Sequence, residues 1–345
     1  MNTQELLLRN HQSPGDVLML TAAVRDLHRC YPGRFRVAVD TSCPFLWENN
    51  PYLVSPSEVP NARVIQCHYP MISRSNQEQV HFLEGFIEYL NQQLKLQVEL
   101  TEVCGDIHLG AEERSWPSML QPFSMSAVPY WIIVAGGKYD FTIKWWHTDR
   151  FQAVVEALKD EVVFVQVGEW RHYHPRLEGV LDLRGRTQGR EIVKLMHHAT
   201  GVLCPVTFMM HLAAAVEPVD DEHGPRSCIA IAGGREPVSW EKYPSHVFLD
   251  TIGKLPCCAH GGCWRSRFEP LGDGDEKDSA DRLCVDVVDR LPHCMAMIEP
   301  EEVVKAIRKT LMRSENRIAE KDLYRLSEKR NRDPVREALR RATLS

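Results

Sequence analysis

The sequence predicts an α/β protein made of two facing Rossmann-like domains with a cleft between them. Apolar strand-like segments alternate with helix-like segments, a Pro- and Ser-rich stretch interrupts this alternation near the middle of the chain, and the alternation then starts again. With 345 residues, 43% of them hydrophobic, the chain is long enough to form two such cores. Ligands of paired α/β domains bind where the strands end, so we expect function in the cleft.

The N-terminal half, residues 1–127, is predicted to be the first domain. Its strand-like segments lie at Glu5 to Asn10, Arg36 to Asp40, near Val64 and near Ile107, and its helices at Val17 to Cys30 and Phe82 to Leu94. The stretch from Ser115 to Val128, with three prolines and several serines in or next to it, is typical of an interdomain linker.

The second domain is predicted over residues 128–312. YWIIVAGG, EVVFVQVGE, GVLCPVT and SCIAIAGGREP are typical of strands, and the helices DRFQAVVEALKD, GREIVKLMHHAT and MMHLAAAVE lie between them. Asp149 is expected to cap the first of these helices. Residues 313–345 are highly charged and predict a solvated helical tail that Pro334 interrupts.

Composition excludes several classes of function. A net charge of −6, spread along the chain, gives no basic surface for nucleic acid, and no apolar run approaches the roughly 20 residues that span a bilayer. The N-terminus lacks the order of a secretory signal, and 11 cysteines, an odd and unevenly spread number, suit a reducing compartment. We therefore expect a cytoplasmic protein without a transmembrane segment; peripheral contact with a membrane stays open.

The loop NHQSPGDV raises the first question of chemistry, because Asp16 stands where a strand gives way to a helix. A carboxylate at that place can point into the cleft and accept a proton from a sugar hydroxyl as a general base. It can equally cap the helix and complement its dipole. Local sequence alone favours the cap.

A resemblance favours the base. GDVLMLTAAVRDLHRCYPG resembles the N-terminal signature of glycosyltransferase family 9, the ADP-heptose:lipopolysaccharide heptosyltransferases. KWWHTDRFQAVVEAL, VVFVQVGE, GVLCPVTFMMHLAAAVE and IAGGREPVSWEKYP resemble later segments of that family, in the family's order and over most of the chain. The resemblance implies the GT-B architecture of two facing Rossmann-like domains, with the acceptor on the N-terminal side and the nucleotide sugar on the C-terminal side.

The resemblance also assigns roles to residues. It implies that Asp16 is the catalytic base and that Lys144 binds the donor phosphates, while Glu169, after Gly168, binds the ribose. The other positions expected to bind the donor are Gly15, Gly136, Gly137, Thr207, Phe208, Met209 and His211. Fixed cations and amides stabilise a diphosphate leaving group without a catalytic metal, so no catalytic cofactor is expected.

One segment departs from the family pattern. Where the family has Asp-Thr-Gly, this chain has Val206, Thr207 and Phe208, although His211 remains. Glycine lets backbone amides approach a pyrophosphate closely, which phenylalanine prevents. Three explanations stay open: a different placement of the diphosphate, a different donor, or a site that binds without catalysis.

Five cysteines between residues 257 and 294 suggest a metal. Four of Cys257, Cys258, Cys263, Cys284 and Cys294 are close enough in sequence to surround one structural zinc or iron ion, with one of the adjacent pair left out. The family often carries a comparable Cys-rich segment, and one dodecameric branch holds iron there. Buried free thiols are the alternative. The acidic loop from Leu271 to Asp278 lacks the ligand order of a calcium loop and is expected to be a solvated turn.

The sequence thus predicts a glycosyltransferase that moves a sugar, expected to be heptose, from a donor such as ADP-heptose to an acceptor hydroxyl of lipopolysaccharide, of another glycan or lipid-linked acceptor, or of a protein. Two alternatives remain: a non-catalytic nucleotide-sugar-binding or assembly protein, favoured by Val206 and Phe208, and a sugar-nucleotide epimerase of the same shape.

Overall fold

The computed structural model describes residues 3–69, 71–72, 74–124, 128–219 and 226–314. Its first sheet has three parallel strands in the order β2-β1-β3, namely β1 (Gln4–Asn10), β2 (Phe35–Thr41) and β3 (Arg63–Gln66). Helix α1 (Pro14–Cys30) follows β1, and helix α2 (Phe82–Leu94) packs against α1. Leu6 and Leu8 alternate with half-buried residues along β1, so one face of the sheet enters the core.

The second sheet has six strands, all parallel, in the order β6-β5-β4-β7-β8-β9. Its strands are β4 (Tyr130–Ile133), β5 (Val163–Gln166), β6 (Leu181–Asp182), β7 (Gly201–Pro205), β8 (Ser227–Gly233) and β9 (His246–Asp250). The chain moves outward from β4 in one direction and then returns to build the other half. The carboxyl ends of β4 and β7 therefore meet at a switch point, where α/β sheets bind ligands.

The helices of the remaining chain are short. They are α3 (Ala111–Arg114), α4 (Thr148–Leu158), α5 (Arg190–His198), α6 (Phe208–Ala215), α7 (Val238–Glu241) and α8 (His293–Ala296), followed by a helical stretch over 300–314. The hairpin of β10 (Val287–Val288) and β11 (Leu291–Pro292) lies in the Cys-rich segment. None of the helices in the described ranges is long and apolar enough to cross a membrane.

Polar contacts join the N-terminal and C-terminal halves of the chain. The guanidinium of Arg190, on α5, donates to the carboxylate of Glu113 (Nε to Oε1, 2.7 Å), and Lys138 Nζ donates to Ser13 Oγ (2.8 Å). The Asn76 amide bonds both backbone groups of Gly262, at 2.9 and 3.0 Å. These contacts join residues of the first domain to residues of the second.

The predicted α/β rhythm is confirmed, with three differences. The strands β6 and β9 of the second sheet were not predicted. The segment around Ile107 is not a strand; Ile107 and Leu109 are buried in an irregular stretch, so their apolar character reflects packing instead of sheet pairing. Asp149 does not cap α4, because the ring of His147 accepts from the Asp149 amide and takes the N-cap position. The predicted tail lies outside the described residues from 315 onward.

Candidate functional site

A cleft of about 1060 Å³ lies between the two sheets. The N-terminal half contributes the loop from Ser13 to Asp16 together with Ser42, Phe45 and Tyr69, and the C-terminal half contributes most of the remaining wall. Every predicted catalytic and donor-binding position lines it: Gly15, Asp16, Gly136, Gly137, Lys144, Glu169, Thr207, Phe208, Met209 and His211. These residues are spread over nearly 200 positions of sequence, and the fold brings them to one surface.

Asp16 belongs to the capping box of α1 and also faces the cleft. The N-cap is Ser13, and Asp16 occupies the third position of α1, where Oδ2 accepts from the Ser13 amide at 3.0 Å. Gly15 beside it packs against α6, since a Cβ there would lie 3.4 Å from Cδ2 of His211, an ordinary van der Waals distance. The two predicted roles are therefore compatible, because one carboxylate both accepts the capping-box hydrogen bond from Ser13 and lines the cleft.

The surroundings of Asp16 adjust its proton affinity. Burial raises the pKa of Asp16, and the Tyr69 phenol, the Ser13 amide and the ammonium groups of Lys144 and Lys138 oppose that rise without cancelling it. A carboxylate whose pKa is moved toward neutrality takes up a proton more readily than an exposed one. Asp16 is thus suited to receive a proton from a hydroxyl bound in the cleft.

Lys144 is fixed across the cleft by a buried carboxylate. Its Nζ lies 2.6 Å from Oε1 of Glu236, whose side chain is only 2% exposed, while Lys144 itself stays 20% exposed. Arg235 also pairs with Glu236 and lies over the rings of Phe141 and Trp264. Burial works against the charge of Glu236, but Arg235 and Lys144 outweigh it and lower its pKa.

The turn after β4 requires a glycine at position 136, because the backbone of Tyr173 lies close to it. Gly136 has φ +106°, and a Cβ on it would lie 2.0 Å from the carbonyl oxygen of Tyr173. The amide of Gly137 donates to that same oxygen at 2.8 Å. The turn therefore shapes the cleft floor and brings Lys138 toward Ser13, whereas the amide of Gly137 is already engaged.

Glu169 and Trp170 follow β5 at the rim. The Glu169 side chain is 62% exposed and lies 3.3 Å from Nδ1 of His172. Trp170 is 80% exposed, and its ring lies against Gly185, where a Cβ would come 3.1 Å from Cε3. A tryptophan this exposed at the edge of a cleft offers a flat apolar surface for a ligand ring.

The start of α6 supplies the opposite wall. Thr207 is the N-cap, and its hydroxyl oxygen is buried without a partner among the described residues. Phe208 meets the ring of Phe45 edge to face, and Met209 is buried. His211 is buried too, and burial lowers its pKa well below the usual value, so its ring is neutral; Nδ1 lies 2.8 Å from the Tyr243 hydroxyl.

The predicted metal site finds no support. No three Cys, His, Asp or Glu side chains in the described ranges are arranged to hold an ion. Cys258 and Cys294 both pack against Gly234, and Cys263 bonds its carbonyl, but Cys258 Sγ is directed to the carbonyls of Thr251 and Leu255. All five are free thiols in this structure, and burial raises the pKa of Cys257, Cys263, Cys284 and Cys294.

Among the lining residues that sequence reasoning missed are Tyr69, Trp170, Glu236 and Glu241. Trp170 directly follows Glu169, so its position at a strand end was a usable signal. Glu236 and Glu241 lie on the loop after β8 and at the end of α7, where nothing in the local sequence predicts that two carboxyl groups are buried together.

Comparison with solved structures identifies the fold. The chain resembles a glycosyl transferase family 9 protein from Veillonella parvula (TM-score 0.60, 13% identity, covering 90% of this chain and 97% of that chain). It also resembles ADP-heptose lps heptosyltransferase II of E. coli (TM-score 0.55, 14% identity, 91% and 100% covered). A third is the dodecameric iron-containing heptosyltransferase TibC in complex with ADP-D-β-D-heptose (0.60, 15%, 90% and 78%).

Sequence comparison adds nothing to this: no family model matches the chain, and no curated protein does. Structural similarity at these identities establishes the fold. The protein is a mixed α/β protein with parallel sheets, built like the glycosyltransferases to which it is similar, as the resemblance in sequence predicted.

Proposed function

We propose that the protein is a glycosyltransferase that moves a sugar from a nucleotide-sugar donor to an acceptor hydroxyl, with Asp16 as the general base. One observation carries the proposal: Asp16, with its raised pKa, and the anchored ammonium of Lys144 line the same interdomain cleft. A base for the acceptor and a cation for the leaving group are the two charges that this transfer needs.

The reaction assigns a task to each side of the cleft. The acceptor oxygen attacks C1 of the donor sugar while its proton moves to Asp16. The bond between C1 and the phosphate oxygen breaks, and its electrons remain on the nucleoside diphosphate. Lys144 stabilises that developing charge. Product release and loss of the proton from Asp16 restore the starting state.

The charge and shape of the cleft agree with a nucleotide sugar. Six cationic and five acidic side chains line it, which suits a ligand with a negatively charged diphosphate. Trp170 offers a surface on which a nucleobase can stack, and Glu169 beside it is exposed for the ribose hydroxyls. TibC, of similar fold, binds ADP-D-β-D-heptose, so ADP-sugars, heptose among them, are the donors to test first.

A second function is a non-catalytic nucleotide-sugar-binding or assembly protein. Two observations favour it. Lys144 already forms an ion pair with Glu236, which partly neutralises its charge. Phe208 occupies the start of α6, where a small residue would let a phosphate approach the backbone amides. Both functions require that the donor binds, so only transfer of the sugar to an acceptor distinguishes the enzyme from the binding protein.

The first experiment is a calorimetric and thermal-shift titration of the full chain with ADP, UDP, GDP and their sugars. We expect ADP or an ADP-sugar to raise Tm selectively, by an amount that grows with ligand concentration. Transfer to an acceptor extract, followed by mass spectrometry, then separates the enzyme from the binding protein. Absence of any response to all nucleotides would remove both functions.

A further inference from the structure

The cleft holds two buried carboxyl groups, Glu236 and Glu241, which are 2% and 3% exposed. Both line the cleft, and in each the oxygen Oε2 has no hydrogen-bond partner among the described residues. Two carboxylates buried near each other cannot both stay ionised unless each has its own cation. How the cations are distributed between them therefore decides their charge.

Glu236 takes both cations. Lys144 Nζ lies 2.6 Å from its Oε1, and the Arg235 guanidinium pairs with the same oxygen. Within the described part of the chain, neither lysine nor arginine forms an ion pair with Glu241. Its one charged-group contact there is His211 Nε2, 3.4 Å from Oε2 and without hydrogen-bond geometry.

His211 does not supply the missing positive charge. Its ring is buried, burial lowers its pKa well below the usual value, and its other nitrogen Nδ1 faces the Tyr243 hydroxyl at 2.8 Å. The neutral ring lies directly under Gly15, next to Asp16. A carboxyl group in such surroundings is far more stable as the neutral acid.

We propose that Glu241 stays protonated beneath the Asp16 loop, so that the cleft can accept an anionic ligand. Its ionisation would add a buried negative charge beside Asp16 and oppose the diphosphate. The inference rests on the proposed function for the identity of that ligand, whereas the protonation of Glu241 does not depend on it.

The titratable and charged groups that influence Glu241 agree with this assignment. They are Asp16 on α1, Tyr69 after β3, Lys144 before α4, His211 on α6, Arg235 and Glu236 after β8, and Tyr243 after α7. Burial first, and then Glu236 and Asp16, raise the pKa of Glu241 to about 8, while Lys144 and Arg235 oppose the rise.

The sign of the effect on stability follows. Because the pKa of Glu241 is higher in the folded protein than in the unfolded chain, its proton stabilises the fold at low pH. That contribution is lost as the pH rises from about 4.5 to about 8. An isosteric amide cannot ionise and therefore lacks this loss.

The test compares Glu241→Gln with the wild-type chain from pH 5 to pH 9. We expect the Tm of the variant minus that of the wild type to increase by roughly 5 °C over this range. We also expect wild-type affinity for ADP to weaken roughly tenfold above pH 8 while the variant keeps its affinity. Glu178→Gln, at an exposed position outside the cleft, is the matched control and leaves both pH profiles unchanged.

The Tm difference (variant minus wild type) tests the protonation of Glu241, and the affinity for ADP tests its role in the cleft. If the Tm difference stays constant or decreases as the pH rises, Glu241 is ionised or merely structural, and the proposal is overturned. A Tm difference that increases, with equal pH dependence of ADP affinity in both proteins, overturns the role in the cleft. If the wild type binds no nucleotide at any pH, the proposed function and the ligand half of the inference fall, and the Tm difference alone still decides the protonation. Should Glu241→Gln not fold, Glu241→Met gives the same sign.

Discussion

Two groups of acidic residues in this protein differ in how many of their carboxyl groups have a cation beside them. The first is the acidic loop, Leu271 to Asp278, where Asp273 and Asp278 surround the guanidinium of Arg267. The second is the set of cleft acids, Asp16, Glu236 and Glu241. In the acidic loop the pKa values of the carboxyl groups fall, and in the cleft those of Asp16 and Glu241 rise.

The acidic loop has an internal cation where a calcium loop would have an ion. Arg267, fully buried, donates from Nη1 to Asp278 Oδ1 at 2.6 Å and from Nη2 to Asp273 Oδ2 at 2.8 Å. The hydrogen bond from Arg267 lowers the pKa of Asp273 to about 2. The sequence predicted a solvated turn, and its acids are indeed partly exposed, but the turn is organised by a buried arginine.

The comparison of the acidic loop with the cleft shows that the charge of these acids depends on whether a cation and water reach them, and not on residue type. In the acidic loop each aspartate has a guanidinium and solvent. In the cleft Glu236 holds the two nearest cations, and Asp16 and Glu241 are left to burial. The acids of the acidic loop and Glu236 are stabilised as anions by their cations, whereas Asp16 and Glu241 are left able to take up a proton.

The largest effect is expected when the cleft acid nearest the acceptor is neutralised. Asp16→Asn should reduce transfer by about 10²–10⁴-fold, because an amide cannot accept the acceptor proton, and should leave donor affinity nearly unchanged. Steady-state transfer and calorimetry of the donor measure the two quantities. Asp278→Asn, in the acidic loop, is the control and should transfer at the wild-type rate; unchanged turnover in Asp16→Asn would remove Asp16 as the base.

The next effect concerns the cation that the cleft acids share. Lys144→Met should weaken donor binding by about tenfold or more, since it removes the charge that faces the diphosphate and leaves Glu236 with Arg235 alone. Affinity for ADP measured by calorimetry tests this. Lys277→Met removes a cation that pairs with Asp275 at the rim and should change affinity little. Equal losses in both variants would contradict a specific role for Lys144.

The smallest effect is on stability and belongs to the acidic loop. Arg267→Met should lower Tm by about 5 °C, because the clustered aspartates lose their shared cation. Since the pKa of Asp273 is depressed to about 2, its stabilisation exists above its ordinary pKa and disappears as the pH falls toward 2. The variant should lose this acid dependence in thermal melts. Arg282→Met, an exposed cation nearby, should keep it, and an identical acid limb in Arg267→Met would refute the comparison.

Much of the fold could be predicted because it depends on local periodicity. The helix predicted from Phe82 to Leu94 is observed with those bounds. All three strands of the first sheet and four of the six strands of the second lie where strands were predicted, whereas β6 and β9 were not predicted. The prediction of a strand near Ile107 was wrong, because a short apolar run predicts burial and does not distinguish a strand from a packed loop. The metal site was predicted for a related reason. The fold does bring Cys258 and Cys294 to one glycine, Gly234, but Cys258 Sγ is directed to the carbonyl oxygen of Thr251, and spacing in sequence does not determine such directions.

The alternation of strands and helices, the position of Asp16 at the start of α1 and the glycines at the strand ends could be predicted from the chain, since each depends on neighbouring residues. Which acids share cations depends on the folded arrangement, because Lys144 and Glu236 are 92 positions apart and Asp16 and Glu241 come from different halves. Electrostatic interactions act through space and depend on burial, and neither is written in local sequence. The proposed chemistry of the cleft therefore rests on the tertiary structure.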